Sequence, residues 1–140
     1  MNTIKLMSFI CLALILGTAC SNDDDAPPVP VNEEEVITSV LVSLVAPGET
    51  VTLESRDLDG DGPNPPQLNV SGNLKSGVTY TGTVRFLDET ETPAEDITLE
   101  VVEEGEEHQV FFIPRSGLQV TTTYGNNDAN GNPIGTEFTL

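Results

Sequence analysis

Carboxylates at alternate positions, followed by a glycine, are the first residues in this sequence whose spacing could do chemistry. Asp57, Asp59 and Asp61 stand at positions one, three and five of such a stretch, and Gly62 stands at position six. Alternate side chains in a tight turn converge on one hard cation, so the pattern matches the first half of a calcium loop. The twelfth position is Leu68 instead of a bidentate glutamate, which excludes an EF-hand.

A second stretch has the ligand that the first one lacks. Asn126, Asp128 and Asn130 alternate before Gly131, and Glu137 occupies the twelfth position. Its first ligand is a neutral amide, however, and no helices are predicted to flank it. Both stretches have an alternative interpretation as plain turns, because Asp, Asn and Gly accept the backbone conformations that turns need. The candidate Ca²⁺ ligands of the two stretches are Asp57, Asp59, Asp61, Asp128, Asn130 and Glu137.

The single histidine of the chain lies beside a cluster of glutamates. Four glutamates flank Gly105 and precede His108, at what the pattern predicts to be the end of a helix. Carboxylates at that end oppose the negative pole of the helix dipole, and a bound cation would relieve the repulsion. Glu103, Glu104 and His108 are therefore candidate metal ligands. The alternative is a solvated acidic face, because Gly105 interrupts a regular ligand spacing.

Residues for catalysis are sparse. One histidine, no nucleophile-elbow motif and no cysteine beyond Cys20 leave no catalytic constellation to propose, so the sequence predicts a protein that is not an enzyme. Carboxylate pairs among the 23 acidic residues keep a small hydrolase as a third alternative. The lack of tryptophan and the presence of only two tyrosines make a poor platform for a sugar.

The amino-terminal region predicts where the protein resides. Residues 6–16 are almost wholly apolar, follow Lys5 and lead into small residues and Cys20. A helix of this length spans about 16 Å, whereas the hydrocarbon core of a membrane is about 30 Å thick. Residues 1–19 are therefore predicted to be a signal peptide and not a membrane span.

The junction at Cys20 resembles the lipobox of bacterial lipoproteins. Thr18 and Ala19 precede the cysteine, although Gly17 stands where that family usually has leucine. The resemblance implies cleavage before Cys20 and acylation of its thiol and its new amino group by fatty acids such as palmitate. Two or three acyl chains anchor a protein durably, at about 0.8 kcal/mol per buried methylene. A soluble secreted protein is the alternative.

An acidic and proline-rich stretch follows the anchor. Asp23, Asp24 and Asp25 resemble the export tag that sends Bacteroidota lipoproteins to the outer face of the outer membrane. The resemblance implies display at the cell exterior, although three aspartates also suit a solvated tether. The prolines of residues 26–31 favour an extended spacer. We therefore expect residues 20–33 to be a tether.

The amino-acid composition limits the partners that the protein can bind. The 140 residues include 23 acidic and 5 basic ones, which gives a formal charge of −18. Such a chain repels nucleic acid and anionic lipid headgroups and attracts cations or basic partners. The two cysteines are Cys11 and Cys20, so the folded part is predicted to contain no disulfide. One domain, residues 34–140, is the expected number.

Short alternating apolar runs predict a mostly β domain. Residues 109–114 are apolar at successive positions, which is typical of a central strand buried on both faces. The spacing of turn residues favours a small antiparallel β-sandwich. Strands are predicted at residues 36–45, 50–55, 68–70, 78–87, 109–114, 117–124 and 135–140.

One short helix is predicted at about residues 93–104. Residues 92–95 (TPAE) form a capping box with proline at the first helical position. The helix would bury Ile97, Val101 and Val102. Ile97, Leu99 and Val101 also alternate as they would in a strand, but the cap favours the helix.

Five motifs of the domain carry a wider resemblance. They lie at residues 32–38 (NEEEVIT), 56–62 (RDLDGDG), 91–98 (ETPAEDIT), 106–109 (EEHQ) and 131–135 (GNPIG). Together, over about residues 31–140, they resemble a family of Bacteroidota lipoproteins that automated naming calls "type 1 periplasmic binding fold superfamily protein". The repeated strand–helix units of a type 1 binding fold are not present in this sequence. Leu99 and Glu100 stand where two acidic residues are expected. Relatives continue past Leu140 with further strands, which implies a domain that is incomplete at its carboxyl terminus.

These observations predict a lipoprotein of the outer membrane that faces the cell exterior and acts as a non-enzymatic binding or accessory module. Its expected partners are the membrane, through the lipid anchor, and an outer-membrane transporter or a small ligand, but not nucleic acid. The alternative is a divalent-cation-binding lipoprotein, either stabilised by calcium or scavenging metal. A small hydrolase comes third.

Overall fold

The computed structural model describes residues 34–60 and 62–140, which form a small antiparallel β fold with one short helix. The predicted fold class is thereby confirmed. None of the helices in the described part of the chain has the length and apolar character needed to cross a bilayer. The elements are β1 (Ser39–Ala46), β2 (Glu49–Arg56), β3 (Gln67–Val70), β4 (Thr81–Asp88), β5 (Glu95–Asp96), α1 (Thr98–Glu103), β6 (Thr123–Tyr124) and β7 (Glu137–Thr139).

The seven strands form one sheet in the order β3-β2-β1-β4-β7-β6, and β5 pairs with β4 outside that path. β1 and β2 are a hairpin closed by the turn at Pro47 and Gly48, as the sequence predicted. β1 and β4 lie at the centre of the sheet and pair antiparallel from Ser39 opposite Leu87 to Val45 opposite Thr81.

One face of this sheet carries the core. In β4 the buried residues Gly82, Val84 and Phe86 alternate with exposed ones, as the period-two pattern predicted. Val101 of α1 and the partly buried Val110 and Phe112 pack against that core, and all the strands of the described residues belong to this one sheet. The core side chains include Leu44, Val51, Tyr80, Val84, Phe86, Ile97, Val101 and Phe138.

The predicted central strand at residues 109–114 is wrong. The segment belongs to no strand, and Phe111 and Ile113 are 68% and 85% exposed. Only Val110 and Phe112 face the core, where the ring of Phe112 lies 4.2 Å from that of Phe138 between centroids. The segment covers the sheet instead of joining it, so one side of its apolar run faces outward.

The predicted helix begins too early. Glu95 and Asp96 pair with the end of β4, and the Ile97 amide donates to the Phe86 carbonyl at 3.1 Å. Their backbone groups serve the sheet, so α1 begins only at Thr98 and has no side-chain cap. The burial of Ile97 and Val101 is confirmed, whereas Val102 is only half-buried. The final strand pair is likewise shorter than predicted.

A charged network fastens the chain where β1 begins and β4 ends. Arg56 donates two hydrogen bonds from Nε and one from Nη2 to the Glu89 carboxylate, at 2.6–2.9 Å. The Ser39 hydroxyl donates to the same carboxylate. These donors, Arg56 first, lower the pKa of Glu89 from 4.5 to about 2. The ionised carboxylate thus ties β2 and β1 to the chain after β4.

Gly82 should not tolerate a side chain. A Cβ at this position would lie 2.3 Å from the Phe138 ring, which Phe112 backs on another side. We expect Gly82→Ala to lower the free energy of unfolding by about 1–3 kcal/mol, measured by chemical denaturation. Gly72→Ala is the control, because nothing lies within 4 Å of its new Cβ. Equal stability of the two variants would contradict this packing.

Glu89 should make stability depend on acid pH. Its pKa is about 2 in the folded state and near 4.5 when unfolded, so its contribution is complete above pH 4.5 and is lost as pH falls towards 2. We expect Glu89→Gln to melt below the wild type at neutral pH, by a margin that shrinks through that window. The exposed Glu91 offers a control, Glu91→Gln. A margin independent of pH would contradict the role of the charge.

Candidate functional site

Three side chains from two distant segments converge at one place. The Nε2 atom of His108 lies 3.4 Å from Oε2 of Glu35 and 3.8 Å from Oε2 of Glu104. Glu35 is the most buried, with 12% of its side chain exposed. Among residues 34–60 and 62–140, these are the only three His, Cys, Asp or Glu side chains whose ligand atoms lie within 4.8 Å of one another.

The end of α1 positions Glu104 and His108. Glu104 follows the last helical residue, its amide donates to the Glu100 carbonyl at 2.9 Å, and the chain then turns through residues 105–107. This places the two side chains one turn apart on the same side. Gly105 is needed there, because a Cβ would lie 2.6 Å from Cδ1 of Ile134.

Thr38 positions Glu35. The Thr38 amide and hydroxyl both donate to the Leu87 carbonyl at 3.0 Å, and the Thr38 carbonyl accepts from the Asp57 amide at 2.7 Å. The Glu89 amide donates to the Thr38 hydroxyl at 2.8 Å. Glu35 lies three residues before this fixed point, so its approach to His108 depends on β1, β2 and β4 together.

The electrostatics of the site favour an ionised Glu35. A hydrogen bond from its own backbone amide does most to lower the pKa of Glu35, and its hydrogen bond with Glu104 acts in the same direction. Partial burial opposes both, and the nearby imidazole of His108 lowers the pKa further. One imidazole and two carboxylates form a donor set for a divalent metal ion.

The structure alters the predicted Glu/His cluster by one residue. Glu104 and His108 are brought together as ligands would be, whereas Glu103 is exposed and lies outside the group. Glu35 takes the third place, and the sequence analysis missed it. No local spacing could have found Glu35, because only the folded sheet brings its segment to the end of α1.

The first predicted calcium stretch closes its own loop. The Asp59 carboxylate accepts from the side-chain amide of Asn64 at 2.8 Å and from its backbone amide at 3.3 Å. These two bonds, the side-chain one first, lower the pKa of Asp59. Asp57 is half-buried beside the end of β2, and Asp61 lies outside the described residues. The bonds of Asp59 favour the turn interpretation.

The second predicted stretch is also held by its own side chains. Oδ1 of Asp128 accepts from the backbone amides of Asn130 and Asn132 at 2.9 and 2.7 Å, and Oδ2 accepts from the Asn132 side chain at 3.0 Å. Gly131 takes the left-handed conformation that completes the turn, with φ 86°. Glu137 lies exposed in β7, opposite Thr83. Calcium binding at these residues stays a prediction.

Comparison of the chain with protein-family models, with curated proteins and with solved structures finds no match. The role of the site must therefore be inferred from its own residues. Cys20, the predicted lipidation site, lies outside the described residues.

Asp128 should stabilise its turn whether or not calcium is present. We expect Asp128→Ala to lower the melting temperature equally in calcium and in chelator, because the lost hydrogen bonds come from the protein. Glu137→Gln is the matched test of the calcium interpretation, since Glu137 contacts the cation only if the loop binds one. A calcium-dependent rise in wild-type melting that both variants lose would establish a calcium site.

Proposed function

We propose that this protein is a lipid-anchored binding or accessory module displayed on the outer membrane. The observation that carries the proposal is the junction at Cys20, where an apolar segment ends in small residues and a cysteine. Acylation of both the thiol and the new amino group of Cys20 would attach two or three acyl chains. That number anchors a protein durably, whereas one chain alone does not. The residues that the structure describes begin at Glu34, directly after the stretch that the sequence predicts to be a tether.

The proposed orientation is towards the cell exterior. Asp23, Asp24 and Asp25 directly follow the anchor, and the wider motif resemblance is also to Bacteroidota lipoproteins. A formal charge of −18 favours a basic or cationic partner and disfavours nucleic acid. The proposed partner classes are an outer-membrane transporter and a small ligand, with no enzymatic step.

A second candidate function is divalent-cation binding. The specific observation in its favour is the convergence of Glu35, Glu104 and His108 within 4.8 Å. An ion bound to these residues would stabilise the folded state by mass action. This function is compatible with lipid anchoring and separable from it by experiment.

Cys20→Ala should release the protein from membranes, because the cysteine is the proposed attachment point. The measurement is partition between membrane and soluble fractions, with metabolic labelling by a palmitate analogue. Cys11→Ala is the matched control, since it removes a thiol within the predicted signal peptide. If Cys20→Ala remained in the membrane fraction as the wild type does, lipid anchoring at this residue would be excluded.

The same cells test orientation. Replacing Asp23, Asp24 and Asp25 by alanine should leave labelling intact and reduce digestion by protease added to whole cells. Unchanged digestion would show that these aspartates serve only as tether.

A further inference from the structure

The geometry points to a site for Zn²⁺ or a similar borderline transition metal at Glu35, Glu104 and His108, which joins the segment before β1 to the turn after α1. This inference rests on the second candidate function, cation binding, and specifies both the class of ion and its effect on the chain.

The present distances are close to those of a zinc site. Zinc bonds of about 2.0–2.2 Å in tetrahedral geometry separate the ligand atoms by about 3.4 Å. Nε2 of His108 is 3.4 Å from the Glu35 oxygen and 3.8 Å from the Glu104 oxygen. All three ligand atoms lie within 4.8 Å of one another, so only short movements separate them from the spacing of a zinc site. Water would complete the coordination.

The donor types select the class of ion. Calcium requires six to eight oxygen ligands, and magnesium keeps most of its waters in octahedral geometry. A group of two carboxylates and one imidazole offers too few oxygens for calcium and includes the nitrogen that zinc and copper prefer. The site therefore favours an ion of a different class from the one predicted for the aspartate loops.

The surroundings give an ion access and a reason to bind. His108 lines a surface cleft of about 350 Å³, and Glu104 lines a neighbouring one. Both clefts include Glu106, Glu107 and Asp128, so a hydrated cation can approach these two ligands from the same acidic surface. The carboxyl groups of Glu35 and Glu104 both lie next to His108, so one divalent ion can contact an oxygen of each together with the imidazole nitrogen. Desolvation of the ion is limited, because 27% of the His108 side chain remains exposed.

The consequence is a metal-dependent link within the chain. Glu35 comes from the segment that follows the tether, whereas Glu104 and His108 come from the turn after α1. A shared ion adds a crosslink between the two, which stabilises the folded state by mass action. The amides of residues 34–38 should then exchange more slowly with solvent.

Calorimetry and melting of the full chain in mild detergent test the site, with Zn²⁺, Ca²⁺ and Mg²⁺ at constant ionic strength. We expect Zn²⁺ to raise the melting temperature and to bind more tightly than the other two ions. Glu35→Gln, Glu104→Gln and His108→Ala should each weaken Zn²⁺ binding at least tenfold, since even outer-shell partners cost about 10–100-fold. All variants keep Cys11 and Cys20, so differences between them report on this site.

Two matched controls separate ligation from general attraction. Glu34→Gln and Glu103→Gln each remove the same charge one residue away, from exposed side chains. They should lose only the small affinity that a surface charge supplies. The site would be overturned if Glu34→Gln lost as much Zn²⁺ affinity as Glu35→Gln, and Glu103→Gln as much as Glu104→Gln. The ion would then be attracted by the surface charge in general and not bound by particular ligands.

The outcomes distinguish the inference from the function on which it rests. Failure of all three cations to bind would reject cation binding and the zinc site together. Calcium binding as tight as that of Zn²⁺, or Zn²⁺ binding that survives His108→Ala, would leave cation binding in place and overturn this site. Hydrogen exchange supplies the last arm, and no Zn²⁺-dependent protection at residues 34–38 would overturn the proposed link. Variants that fail to fold are recognised by melting without metal, and the remaining substitutions then decide.

Discussion

β1 and β4 pair antiparallel at the centre of the sheet, although the hairpin to β2, β3 and a polar loop separate them along the chain. Their register brings Leu44 opposite Gly82 and Val42 opposite Val84, which leaves room for the Phe138 ring of β7. β2, β7 and β5 all pair with one of these two strands. The ion pair of Arg56 and Glu89 links the end of β2 to the residue that follows β4.

The candidate site depends on that same end of the sheet. Thr38 continues the bonding of β1 to Leu87 and so holds the segment that carries Glu35. β5 pairs with the end of β4 and leads along the chain into α1. Glu104 and His108 lie directly after α1. The two halves of the site are thus attached to neighbouring strands, and their approach follows from strand register and not from local sequence. A metal ion shared between them would reinforce an arrangement that the sheet already favours.

The aspartate loops illustrate why calcium motifs and turns resemble each other in sequence. A calcium loop needs short oxygen side chains and a glycine with positive φ, and a tight turn needs the same residues. In the second loop Oδ1 of Asp128 accepts from the Asn130 and Asn132 amides, and Oδ2 accepts from the Asn132 side chain. Charge adds to this ambiguity, since 23 acidic residues place carboxylates near almost any turn.

The sequence by itself determined those features that depend on near neighbours in the chain. The alternation of Val84 and Phe86 with polar residues predicts which face of β4 is buried, because successive side chains of a strand point to opposite faces. The turn at Pro47 and Gly48 is predicted for a similar local reason. Tertiary structure decided the rest. β4 bonds to Glu95 and Asp96, which a local cap assigned to the helix. Residues 109–114 cover the sheet instead of entering it. Glu35 joins Glu104 and His108 only after strands distant in sequence have paired, because contacts between separated segments are set by the register and packing of the whole sheet and leave no local pattern.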